Sequence, residues 1–168
     1  MIVRAALPTS LERVRRRSVW NAPDRVPAHL TMLYPFVAPD RLHSDVRIAL
    51  AAVAARVAPF EYRLVGAAVW PQTVYVAVDP VEAFLALHRE LQAAFPAFPI
   101  YGPDPGFDFV PHVTIAEGDA FDEAAILADP GWRLLPLARR AVAIEVITQP
   151  EGGRWRTIWR LPLGRMPA

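Results

Sequence analysis

The chain has 168 residues, 54% of them hydrophobic, with a mean hydropathy of +0.21. That is enough apolar material for one globular domain with a real core, residues 1–168, and it excludes the disordered and fibrous classes. A net charge of +1 argues against binding to duplex DNA, and the absence of cysteine excludes disulfides, thiolate nucleophiles and cysteine-ligated metals.

In chain order, residues 2–7 read as a first strand. Thr9-Ser10-Leu11-Glu12 has the spacing of a capping box, and Leu11, Val14 and Val19 continue it as a helical stripe that Asn21-Ala22-Pro23 stops. A strand over about 28–34 ends at Pro35, and Leu42, Val46, Leu50, Val53 and Val57 mark an amphipathic helix. Residues 60–70 and 73–79 read as two strands split by Pro71-Gln72, followed by a helix through Val81, Phe84, Leu85, Leu91 and Phe95. Tyr101-Gly102-Pro103-Asp104-Pro105-Gly106 can be neither helix nor central strand, so it leads as a loop into a strand over about 109–116. A short helix near 121–128 and strands at 139–148 and 154–162, joined at Pro150-Glu151-Gly152-Gly153, complete the chain. Helices interleave with strands that are joined by short turns, which predicts an α+β fold with antiparallel sheets. The N-terminus does not have the form of a secretory signal and no apolar run reaches membrane-spanning length, so a cytoplasmic protein is expected.

One pattern occurs twice. His29-Leu30-Thr31-Met32 and His112-Val113-Thr114-Ile115 each follow a proline-containing turn, almost half the chain apart. Polar and apolar residues alternate, so each copy places an imidazole and a hydroxyl on one face of a strand and suggests two similar lobes sharing a cleft. Histidine titrates near neutral pH and serves as general acid or base, while threonine hydroxyls hydrogen-bond anionic oxygens. That equipment suits acid–base chemistry on a phosphate ester. No third ligand is spaced for a metal, no cofactor motif is present, and with arginine supplying all 18 basic residues lysine adducts are excluded.

At these two motifs the sequence resembles the two-histidine (2H) phosphoesterase superfamily, specifically the bacterial 2'-5' RNA ligase family. The likeness extends to Pro27 through Phe36, to Phe98-Pro99-Ile100-Tyr101-Gly102, and to the stretch from Trp155 to Gly164. The resemblance implies a bilobal, pseudo-twofold α+β fold with two antiparallel sheets and outer helices around a central cleft. It also implies metal-free opening of 2',3'-cyclic phosphates on RNA ends or nucleotides, with 2'-5' ligation as the reverse. His29 is then the proton donor to the leaving oxygen and His112 the base that activates water, with Thr31 and Thr114 binding the phosphate. Two other readings stay open: a module that binds RNA or nucleotide without catalysis, and a phosphoesterase for a small cyclic-phosphate metabolite. A monomer is expected.

The remaining candidates have simpler explanations. His43 and His88 fit structural roles on helices, and Arg15-Arg16-Arg17 spreads over three sides of a helix as a solvated face. Arg154, Arg156 and Arg160 share a strand face by simple alternation, opposite Thr157. Trp70 and Tyr101 fall at loop positions near the expected cleft mouth, where either ring could stack on a base.

Overall fold

The structure, a computed structural model, describes residues 1–19, 26–102, 108–151 and 153–164. The expected helix stop at 21–23, residues 103–106 of the expected loop and Gly152 of the last turn lie outside the described residues. Among the described residues eight strands form two antiparallel sheets, and the two repeated motifs sit on different ones. In the first sheet β2 (His29–Thr31) is the edge, followed by β1 (Ile2–Arg4), β7 (Ala143–Thr148) and β8 (Arg156–Pro162). In the second the edge is β5 (His112–Glu117), followed by β4 (Thr73–Asp79), β3 (Phe60–Trp70) and β6 (Leu137–Ala141). The edges β2 and β5 lie against each other, which gives the expected α+β architecture its approximate twofold character.

Alternation places the edges in both sheets. Leu30 and Val113 point inward and are almost fully buried, so the flanking residues of each motif must face the opposite way. The inward faces meet in one core that joins Val3, Leu30, Ile144 and Leu161 to Leu64, Val76, Val113 and Ile115. Helices close it with Leu11 from α1 (Thr9–Ser18), Leu50 and Val53 from α2 (Ser44–Arg56), and Phe84, Leu87 and Leu91 from α3 (Glu82–Ala94). Phe84 packs edge-on against Phe60 and Tyr62, with ring centroids 4.8 and 4.9 Å apart. No helix among the described residues is long and apolar enough to cross a membrane.

Several expectations need correction. The first strand is only three residues long, and Pro8 occupies the N-cap of α1, so Thr9 does not cap it and Glu12 instead binds Arg15 and Arg16. The single strand expected over 139–148 is two strands, β6 and β7, which break at exposed Val142 and pair in different sheets. Short 3₁₀ turns at Pro39–Arg41 and Pro130–Leu134 begin with prolines that preset the first dihedral. The expected helix near 121–128 contracts to α4 (Glu123–Leu127), capped by the Asp122 carboxylate, which accepts from Ala125 N–H at 3.0 Å. A bulge at Ile158 turns Thr157 to the side of Arg160, where both reach buried Glu145, while Arg156 falls on the other face.

Gly131 shows how tightly α1 is seated. A Cβ there would land on the Ser10 hydroxyl and Leu11, both on the first turn of α1. Gly131→Ala is therefore expected to destabilise the fold by about 1–3 kcal/mol, read as a lower denaturant midpoint at unchanged m-value. An unchanged midpoint would show that α1 yields freely.

Candidate active site

His29 and His112 are tethered in the same way. Each Nδ1–H donates to the carbonyl two residues earlier, Pro27 and Val110, and both distances are 2.7 Å. A carbonyl can only accept, so Nδ1 carries hydrogen and Nε2 is left to take or give the mobile proton. Both prolines in the preceding turns serve this geometry: Pro27 supplies an accepting carbonyl itself, and Pro111 follows Val110, holding it extended as pre-proline sterics require.

Both histidines and both threonines line one cleft of about 500 Å³. Its wall also includes Arg15, Tyr34, Phe36, Tyr101, Glu117 and Trp155. Burial pushes the His29 imidazole down to about 4; the Pro27 carbonyl opposes the shift, and the positive charge of Arg15 adds to it. His112 is lowered as well, again chiefly by burial and against its carbonyl partner. In the free protein at neutral pH both rings are therefore neutral, each with an Nε2 lone pair available.

The other expected site residues divide. Tyr101 stands at the cleft, its hydroxyl hydrogen-bonded with Thr31 and its N–H bonded to the Tyr34 carbonyl at 2.6 Å. Its backbone lies in the left-handed region at φ 57°, a conformation seldom used by a bulky residue and one that surrounding contacts must hold. Trp70 is the last residue of β3 rather than part of a loop. Its indole lies against Tyr75 and edge-on to His112, with centroids 4.1 and 4.8 Å away, so it supports the imidazole from behind. Tyr75 completes that support at 5.3 Å from His112.

His43 is exposed at the start of α2, while His88 donates from Nδ1 to the Met32 carbonyl at 3.0 Å. The His88 ring also stacks on Phe109 and serves the fold, as its helix position suggests. Arg15 departs from expectation. It is 2% exposed and lines the cleft, donating to Glu12 at 2.9 Å and to the Val26 carbonyl at 2.5 Å. Arg15, Tyr75 and Glu117 escape sequence reasoning because their places depend on how α1 meets β5 and on strand register. Among the described residues no three His, Cys, Asp or Glu side chains gather as a metal-ligand set.

A model of the 2'-5' RNA ligase superfamily matches residues 4–144. The chain belongs to this superfamily. The family resemblance is thereby confirmed, and phosphoester chemistry is the activity that this superfamily membership supports. A relative from Bacillus pumilus (strain SAFR-032), named as a phosphoesterase, is 28% identical over 143 residues, covering 83% of this chain and 81% of that protein. The fold is similar to that of TT0787 of Thermus thermophilus, with a TM-score of 0.66, 23% identity and coverage of 97% and 96%. It is also similar to that of E. coli LigT complexed with 3'-AMP, at a TM-score of 0.55, 18% identity and coverage of 98% and 100%.

Proposed function

We propose that this protein opens 2',3'-cyclic phosphates on nucleotides or RNA ends and releases 2'-phosphates. The observation that carries the reading is the repeated tether: two imidazoles in one cleft, each donating from Nδ1 to a carbonyl and so keeping Nε2 for the mobile proton. The capture of 3'-AMP by LigT, a protein of the same fold, supports a nucleotide-sized ligand.

Water attacks phosphorus as its proton passes to Nε2 of His112. The bond from phosphorus to the 3'-oxygen breaks, and that oxygen takes the proton from Nε2 of His29. Thr31 and Thr114 donate to the non-bridging oxygens, where negative charge accumulates. Tyr101, through its hydrogen bond with Thr31, fixes that hydroxyl's direction. Because burial holds His29 neutral in the free protein, the donor proton is taken up from solvent as substrate binds, when the phosphate's negative charge offsets the burial that lowers the imidazole. With a 5'-hydroxyl in place of water, the same sequence of steps forms a 2'-5' linkage without ATP, the 3'-oxygen again leaving with the proton of His29.

Incubation with a nucleoside 2',3'-cyclic phosphate in the presence of EDTA, followed by phosphorus NMR, tests the proposal. The cyclic phosphate resonance is expected to give way to that of a 2'-monophosphate alone. Tight binding without conversion would identify a binding module instead, and a 3'-monophosphate product would place the leaving oxygen on the wrong side.

A further inference from the structure

Glu117 has no place in the chemistry above, yet it faces the same cleft as His112 and Thr114. Strict alternation along β5 would send it to the side of Val113 and Ile115, into the core. A bulge prevents this. Tyr75 pairs with Thr114 and Thr73 pairs with Glu117, so four residues of β5, Thr114 to Glu117, span three of β4, Thr73 to Tyr75. The extra residue shifts the alternation, and Ile115 and Ala116 are both buried completely while Glu117 turns to the cleft.

Among the described residues no hydrogen bond or ion pair reaches the Glu117 carboxylate. Its proton affinity is raised by burial and lowered by Arg15, the lone fixed cation among the described residues of the cleft wall. Arg15 is already engaged by Glu12 and the Val26 carbonyl. Among the described residues the cleft thus presents a carboxylate with no protein donor, on the same strand as the phosphate-binding threonine, and no uncommitted guanidinium to receive a second phosphate.

We propose that Glu117 is a specificity-determining residue: it accepts a hydrogen bond from a hydroxyl or amino group beside the reacting phosphate and excludes a second phosphate there. The preferred substrates are then small, singly phosphorylated molecules such as nucleoside 2',3'-cyclic monophosphates, rather than RNA ends that carry a phosphate at every residue. This inference rests on the phosphoesterase reading for the position of the phosphate.

The test compares kcat/KM for a nucleoside 2',3'-cyclic monophosphate with that for a trinucleotide ending in the same group, at fixed salt. The full chain is expected to favour the mononucleotide by about tenfold or more, the discrimination that a like charge in a half-buried site can supply. Glu117→Gln, which keeps the shape and removes the charge, is expected to bring the ratio to within about threefold, and Glu117→Arg to invert it. A wild-type preference for the trinucleotide, or a ratio unmoved in Glu117→Gln, would overturn the proposal. Calorimetric Kd values for a nucleoside 2'-phosphate and a trinucleotide ending in a 2'-phosphate give the same comparison without turnover. Failed hydrolysis with an intact binding ratio would then refute the phosphoesterase mechanism and leave the role of Glu117 standing.

Discussion

His112→Ala and His29→Ala are each expected to lower kcat/KM toward a nucleoside 2',3'-cyclic phosphate by about 10²- to 10⁴-fold, the usual contribution of a positioned general acid or base. The double variant is expected to lose little more than the worse single one, because a base without its acid partner cannot complete the displacement. Both variants should fold. Each ring contributes one hydrogen bond to a carbonyl in its own turn, and the burial that seats each strand comes from Leu30 and Val113. Steady-state rates with thermal melts check both points. Either single variant that keeps more than a tenth of wild-type activity while folded would break the paired mechanism.

The second large effect is on pH dependence. The reactive form carries one proton on the histidine pair, and kcat/KM reports that form in the free protein. Both imidazoles are lowered from 6.5, His29 to about 4, so the midpoint for loss of the free pair's proton lies below pH 6.5. Above that pH, kcat/KM is expected to fall about tenfold per unit, or about a hundredfold from 6.5 to 8.5. Bound phosphate restores proton affinity, so the basic limb of kcat should lie at higher pH than that of kcat/KM. Coincident limbs near or above 7 would mean that burial does not govern these rings.

The parts of the molecule legible in the sequence are those set by local alternation. His29-Leu30-Thr31 and His112-Val113-Thr114 can be placed on strand faces because one buried residue between two polar ones admits a single orientation. The helices around Leu50 and Phe84 follow from spacing for the same reason. Features set by register are not legible. Val142 sits in an unbroken apolar run, and only pairing of its two flanks with different sheets makes it a corner. Glu117 reaches the cleft through a bulge that no composition marks, and Arg15 is buried because α1 lies against β5. A helix in isolation gives no sign of what covers each side, so the arginine run looks solvated throughout. Trp70 in the same way looks free to stack, whereas pairing with Thr73 across a tight turn brings it to Tyr75 and His112.

The claim beneath the mechanism is that both Nε2 atoms address one phosphorus. Long-range proton–nitrogen NMR of the imidazoles, recorded while a nucleoside vanadate complex is added, tests it directly, since the trigonal bipyramidal vanadium stands for phosphorus in mid-displacement. The account predicts that, before addition, both rings carry hydrogen on Nδ1 alone, and that the Nε2 resonances of His29 and His112 then move together at a single stoichiometric equivalent. Movement of only one ring, or an Nε2–H tautomer in either free ring, would contradict it.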